Sequence, residues 1–219
     1  TQLSRVIGEV IANAEEHSDT RYRYAIGYFL QNDESTEQIG DFNLCIFNFG
    51  RTIYESFKFN CKNGDVLDKM KSLSDEFTKR KLFKPAKYEE ETLWTLYALQ
   101  DGVTRFDNWN RGHGSIKFIE SFFNLRGEQN QDNPSKLVII SGNTRIVFDG
   151  SYGITEKVNS RGNKFQVMTF NNSGDITEPP DEKFVTFADN FFPGTIISAK
   201  IYINKESIRE RNNENNAKH

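Results

Sequence analysis

Apolar residues recur at helical spacing in three parts of the chain. The first stretch carries one apolar stripe, formed by Leu3, Val6, Ile7, Val10, Ile11 and Ala14. Positions three or four residues apart share one face of a helix, so a helix is predicted here. Residues from Ile53 to about Gly102 are predicted to be helical in pieces, because Pro85 interrupts the rhythm. Another helix is predicted from Ser115 to about Leu125.

Aromatic and β-branched runs predict strands between and after these helices. The runs are Arg21–Leu30, Phe42–Phe49, Lys136–Ser141, Thr144–Phe148, Phe165–Phe170 and Thr195–Ile203. Gly142-Asn143 separates the third run from the fourth, which predicts a hairpin. We therefore expect an α+β fold, a two-layer α/β sandwich in which helices cover one mixed, mostly antiparallel sheet. A polar tail is expected over residues 205–219.

Composition narrows the class of protein. The 219 residues include 28 basic and 31 acidic side chains, with a net charge of −3, so the charge argues against a nucleic-acid or anionic-membrane partner. No apolar run is long enough to span a bilayer, and no basic-then-apolar segment opens the chain. Cys45 and Cys61 are too few for a disulfide framework or a four-ligand zinc site. We expect one cytoplasmic domain.

Glu9 and Asn13 form the first pair of residues that suggests chemistry. They are four residues apart, so they lie one above the other on the predicted first helix. An amide oxygen can bind magnesium, and a carboxylate beside it can activate a water molecule. A solvated pair on an amphipathic helix explains the same spacing.

Two glycine-containing turns lie at the ends of predicted elements. One follows the second predicted strand, and the other precedes the helix predicted from Ser115. Asn48 and Gly50 stand where the second strand ends, so an amide and an approachable backbone meet at the edge of the sheet. The loop Asn110–Ser115 contains Arg111, Gly112, His113 and Gly114 directly before a helix, a place where backbone N–H groups attract phosphate. Arg105 and Arg111 would add charged contacts. Ordinary turns use the same residue types.

The order of these motifs resembles the GHKL ATPase superfamily, which contains gyrase B, heat-shock chaperones, histidine kinases and MutL. Glu9 to His17 fits the family's E-x-x-x-N motif, and Asn48 to Thr52 matches its D-x-G-x-G box with two departures. Asn110 to Gly114 matches the G-x-G-x-G box without its leading glycine, and Gly194-Thr195 matches the final G-T. Within the family the chain looks most like the small bacterial "ATP-binding protein" group.

The resemblance implies a Bergerat-type ATP-binding domain over residues 1–204, with a helical lid at about 52–112. It assigns ATP and Mg²⁺ as cofactors, Asn13 to the metal and Glu9 to activating the attacking water. Asn48 would face the adenine amino group with help from Thr195, beside Gly50. Phosphates would lie on Gly112 and Gly114, near His113, Arg105 and Arg111.

The departures from the motifs keep several functions open. Asn48 lacks the charge of the family's aspartate, which we expect to weaken its hydrogen bond to adenine by roughly 1 kcal/mol. Thr52 and Asn110 replace glycines that give the family's turns their freedom. The leading hypothesis is a magnesium-dependent ATP-binding switch with slow ATP hydrolysis and a protein partner. The alternatives are a degenerate scaffold that has lost ATP and binds proteins, and an anti-sigma-type Ser/Thr kinase.

Overall fold

The protein has an α+β fold in which helices cover one face of an antiparallel sheet. The computed structural model describes residues 8, 23–31, 38–79, 87–105, 114–126, 135–159 and 162–204. The strands are β1 (Arg23–Gln31), β2 (Gln38–Phe49), β3 (Lys136–Phe148), β4 (Thr155–Val158), β5 (Lys164–Val167) and β6 (Val185–Asn204). The helices are α1 (Ile53–Asn60), α2 (Gly64–Thr78), α3 (Glu90–Ala98) and α4 (Gly114–Arg126).

Four of the strands form the main sheet, in the order β1-β2-β6-β3, and β4 pairs with β5 in a separate ribbon. Every pairing among these strands is antiparallel. The predicted α+β class with a mostly antiparallel sheet is thus confirmed. β6 is longer than predicted, because it begins at Val185 rather than near Thr195.

The predicted hairpin at Gly142-Asn143 is wrong, since β3 is one continuous strand through this dipeptide. Both halves of β3 pair with β6, and the register shifts on each side of Gly142. Gly142 does take a positive φ of 61°, as a hairpin turn would require. A β-bulge can require the same positive φ as a turn. Gly142, which predicted a hairpin turn, therefore marks a bulge within β3.

The first two helices begin at polar caps that the sequence supplies. Thr52 accepts a hydrogen bond from the Glu55 backbone N–H, and the Glu55 carboxylate accepts one from the Thr52 N–H, which makes a capping box. Asn63 caps α2 through a hydrogen bond from the Val66 N–H. These caps fix where α1 and α2 start after the end of β2.

Two apolar clusters form the core, and α3 contributes to both. The larger cluster joins Leu96 and Leu99 to α4 and to the helix-covered face of the sheet. The smaller cluster joins Leu93 and Trp94 of α3 to residues of α1 and α2. Because α3 is buried on all sides, it is held firmly between the sheet and the other two helices.

The opposite face of the main sheet is largely open. Tyr24, Phe47 and Phe49 form an aromatic cluster there, with the Tyr24 and Phe47 rings stacked at 4.9 Å between centroids. None of the described helices has the length and apolar content that crossing a bilayer requires. Cys45 and Cys61 are not joined in a disulfide.

Candidate functional site

A row of three polar side chains crosses the helix-covered face of the sheet. Asn48 on β2 is the register partner of Thr195 on β6, and Thr195 is the partner of Ser141 on β3. Residues paired across antiparallel strands share a face of the sheet, so these three side chains lie side by side. We call them the polar row.

The polar row lies directly beyond the apolar core. Its neighbours two positions away on the same face are Ile46, Ile197 and Ile139, which pair with one another in the same strand order. Asn48 is only 5% exposed, although no hydrogen bond to its side chain is found within the described ranges. The amide atoms of Asn48 are not among the fully inaccessible polar atoms that lack a partner, so this largely buried amide keeps some access to solvent and to a ligand.

Ser141 ties the other half of the polar row to the start of α1. Its hydroxyl oxygen accepts a hydrogen bond from the Ile53 N–H at 2.8 Å and lies 2.9 Å from the Thr195 hydroxyl oxygen. The Ser141 hydroxyl also lies 3.3 Å from the Gly194 carbonyl oxygen, to which it can donate. One proton assignment satisfies all three contacts: Thr195 donates to Ser141, and Ser141 donates to Gly194. The lone pairs of Thr195 then remain available as acceptors.

Gly194 brings the β6 backbone against the end of β2. Its φ is +147°, and a Cβ at this position would stand 2.0 Å from the Asn48 carbonyl oxygen. The Gly50 N–H donates to the Pro193 carbonyl oxygen at 3.1 Å. No side chain fits between these backbones, so the Gly194-Thr195 pair noted in the sequence has a structural role in closing β6 onto β2.

A partly buried carboxylate lies next to the polar row along β3. Glu91, in the first turn of α3, accepts a hydrogen bond from the Asn143 N–H at 2.7 Å. Burial raises the pKa of the Glu91 carboxyl above its ordinary value; the Asn143 hydrogen bond opposes this shift, and the charge of Glu55 adds to it. Gly142 makes room for this contact, because a Cβ there would stand 2.1 Å from the Glu91 carboxylate oxygen.

Two of the remaining predicted site residues, Arg105 and Gly114, are described by the structure and lie outside the polar row. The Arg105 carbonyl oxygen accepts a hydrogen bond from the Lys62 N–H, just after α1 ends. Since α1 has eight residues and its first residue contacts Ser141, this contact lies about 12 Å or more from the polar row. Gly114 is the first residue of α4, in agreement with a helix predicted directly after it.

The other predicted site residues lie outside the described residues. They are Glu9, Asn13, Arg111, Gly112 and His113. Gly8, beside Glu9, is helical, as the predicted first helix requires. Of the predicted site, the structure therefore brings together Asn48, Gly50 and Thr195.

Sequence analysis gave Ser141 and Glu91 no role. Ser141 carried a usable signal, because a polar residue follows Leu137 and Ile139 at the next core-facing position of the strand. Glu91 carried none, since Glu89 and Glu90 stand beside it and a run of three acids at a helix start is common.

Within the described ranges, no group of three or more His, Cys, Asp or Glu side chains is placed to hold a metal ion. Comparisons of the chain with models of protein families, with curated proteins and with solved structures gave no match.

Proposed function

We propose that this protein binds ATP together with magnesium, with the polar row recognising the adenine base. The observation that carries the proposal is the Asn48 amide, which is buried at the end of β2 without a described hydrogen bond. A buried polar group of this kind is stabilised when a ligand supplies the missing partners.

The chemistry of an amide suits adenine in particular. Its carbonyl oxygen accepts from the exocyclic amino group while its NH₂ donates to a ring nitrogen, which is how asparagine reads adenine elsewhere. Guanine offers a carbonyl oxygen where adenine has the amino group. Thr195, with its proton donated to Ser141, presents a second acceptor beside Asn48. The polar row therefore favours adenine over guanine.

The phosphate and metal part of the proposal depends on the resemblance to GHKL ATPases. That resemblance assigns Asn13 to magnesium and Gly112 with Gly114 to the phosphates. Magnesium, when bound, neutralises part of the phosphate charge. Slow hydrolysis is part of the proposal only through Glu9, the residue that the resemblance assigns to activating water.

The lid that we propose contains fewer residues than the segment 52–112 that the resemblance implies. α3 fills the space between both apolar clusters, so it is poorly suited to opening and closing over a ligand. α2 packs chiefly on α3 and has a mostly exposed outer surface. We assign the moving part to α2 and the segments that flank it.

A second function, a scaffold that has lost ATP, is favoured by Thr52. Its backbone and side chain are both engaged in the capping box of α1, and it is buried. The family's glycine at this position leaves the turn open, whereas Thr52 fills it. A protein-interaction scaffold would keep the fold and show no response to nucleotide.

Thermal denaturation with nucleotide separates these two functions. ATP, ADP and a non-hydrolysable ATP analogue are tested with and without magnesium. We expect ATP to raise the melting temperature only when magnesium is present, since ligands that bind the folded state stabilise it. Asn13→Ala should lose this magnesium-dependent shift.

Thr195→Val and Thr186→Val supply matched variants on the same strand. Thr186 pairs with Arg145, far along β6 from the polar row. Thr195→Val should reduce the ATP-induced shift, whereas Thr186→Val should keep it. No shift for the parent protein under any condition would establish the scaffold instead.

Phosphate release distinguishes the enzymatic alternatives once binding is seen. Slow release that is lost in Glu9→Ala supports hydrolysis with Glu9 as the base. Binding without release points to a switch or to a Ser/Thr kinase that passes phosphate to a protein.

A further inference from the structure

β1 is an edge strand whose residues from Tyr24 to Leu30 carry none of the features that usually prevent edge-to-edge pairing. It stands at one end of the main sheet, and among the described strands only β2 pairs with it. All nine of its residues pair with β2 without a register shift, so the strand is regular along its length. Tyr24 to Leu30 contains no charge and no proline. Natural edges are normally blocked by charges, prolines or bulges.

The opposite edge of the same sheet shows the contrast. β3 carries two register shifts around Gly142 and includes Lys136 and Arg145. The edge at β3 is therefore irregular and charged, whereas the edge at β1 is regular and carries no charge between Tyr24 and Leu30.

The side chains of β1 are exposed on both faces. Ile26 is 58% exposed, and Tyr24, Tyr28, Phe29 and Leu30 are each about half exposed. Together these five side chains present roughly 500 Å² of apolar surface per copy. Edge pairing would cover only part of this surface in each copy, which places the interface among the small, weakly associating ones.

We propose that two copies of this chain associate through β1, in antiparallel register about a two-fold axis at Gly27, to form one continuous eight-stranded sheet. This register places Tyr24 opposite Leu30 of the partner subunit and Ile26 opposite Tyr28 of the partner subunit. Both are aromatic–aliphatic pairs on one face, which stabilise antiparallel sheets. Arg23 stands opposite Gln31 of the partner subunit, so no like charges meet.

The second copy would lie on the far side of β1 from the polar row. Arg23 is the register partner of Asn48, and the pairing sets Gln31 of the partner subunit beside Arg23. The dimer therefore places the partner's β1 end two strands from Asn48. This inference does not depend on ATP binding, because it rests on the edge and composition of β1 alone.

Sedimentation velocity of the full chain over a concentration series tests the dimer. We expect a shift from monomer to dimer with a dissociation constant on the order of micromolar, as suits a small interface. Ile26→Lys should weaken the dimer at least tenfold, because it sets a charge within the new interface. Val158→Lys is the matched control: Val158 is 62% exposed on β4, outside the main sheet, and its variant should dimerise normally.

A monomer at every concentration would overturn the proposal and would leave β1 to a different partner or to another segment of the chain. A dimer that Ile26→Lys leaves unchanged would overturn it as well. Because Ile26 is exposed, the variant should keep the parent's melting temperature in dilute solution, which separates lost pairing from lost folding.

Cysteine cross-linking tests the register. In a background with Cys45→Ser and Cys61→Ser, Gly27→Cys puts two thiols at the axis, where paired Cα atoms stand about 4.5–5.5 Å apart, within disulfide range. A Cβ at Gly27 meets nothing closer than 3.6 Å, so the substitution fits. Ala25→Cys, whose two copies would stand about 14 Å apart, should not cross-link. A dimer that cross-links at Ala25 or at neither position would contradict this register.

Discussion

The proposed adenine recognition depends chiefly on one side chain, that of Asn48. Asn48 occupies a core-facing position of β2 and carries an amide. The two preceding core-facing positions of the strand hold the apolar residues Leu44 and Ile46. Nearby polar groups are already satisfied, since Ser141 and Thr195 bond to each other and Ser141 also accepts from α1. A ligand that bonds to Asn48 therefore completes the row instead of disturbing it.

Asn48→Asp should tighten ATP binding roughly fivefold, because a charged acceptor strengthens the bond to the adenine amino group by about 1 kcal/mol. Without nucleotide the same change should lower the melting temperature, because Arg23, the register partner of this position on β1, offsets only part of the cost of burying a carboxylate. Isothermal titration calorimetry and thermal denaturation measure the two effects. Weaker ATP binding together with an unchanged melting temperature would argue that Asn48 does not face the base.

Glu91→Gln should make the free energy of unfolding vary less with pH above about pH 4.5. Burial raises the pKa of the folded Glu91 carboxyl above the unfolded value of 4.5, so the folded state favours the protonated form. The stability that this carboxyl contributes is full below pH 4.5 and is lost as the pH rises through the folded pKa.

Urea denaturation of parent and Glu91→Gln between pH 4 and pH 8 measures this linkage. The Gln variant, which keeps an oxygen acceptor for Asn143, should gain on the parent as the pH rises and lose that gain near pH 4. A difference that stays constant across the range would show that the carboxyl titrates at its ordinary pKa.

At the scale of elements, the bulge in β3 organises the site. The register of β3 on β6 shifts at Gly142, and this shift places the Asn143 N–H at the Glu91 carboxylate. Directly before the shift, Ser141 meets the first residue of α1. One irregularity in one strand thus connects β3, β6, α1 and α3.

Ser141→Ala should lower the free energy of unfolding by about 2 kcal/mol, because it leaves the Ile53 N–H without an acceptor. Ser173→Ala is the control: its hydroxyl makes two hydrogen bonds, with Asn171 and Asp175, in an exposed loop. The control should cost less than about 0.5 kcal/mol. Equal losses in urea denaturation would mean that the contact between Ser141 and α1 adds nothing beyond an ordinary surface hydrogen bond.

At the scale of the whole molecule, the two faces of the main sheet have different surroundings. One face is filled by α3, α4 and the larger apolar cluster, and it ends in the polar row. The other face exposes the aromatic side chains of β1 and β2. Ligand chemistry is thus proposed under the helices, and association with a second copy at the open edge.

Periodicity was enough to predict the fold class, because most elements are regular. α3 and α4 occur where apolar spacing places them, and β1 and β2 follow runs of aromatic and branched residues. The hairpin failed because a positive φ at Gly142 serves a bulge as well as a turn. The first part of β6 escaped prediction because Ala188, Asp189 and Asn190 interrupt its apolar pattern.

The site was predictable only where neighbouring residues in space are also marked in sequence. Asn48 stands two residues before Gly50 and Thr195 directly follows Gly194, and Gly194 lets the two backbones approach closely. Ser141 and Glu91 join the site through long-range register and helix packing, with 88 residues separating Ser141 from Ile53. Local patterns carry no information on such contacts.

Calorimetric titration of ATP into the parent, Asn48→Leu and Asn43→Leu tests the central claim most directly. Asn43 lies on the same strand but on the opposite face, where its side chain donates only to the Asp41 carbonyl oxygen. The account predicts that the parent and Asn43→Leu bind ATP in the presence of magnesium with similar affinity, and that Asn48→Leu binds at least tenfold more weakly. Equal affinity in all three proteins, or no binding by the parent, would contradict it.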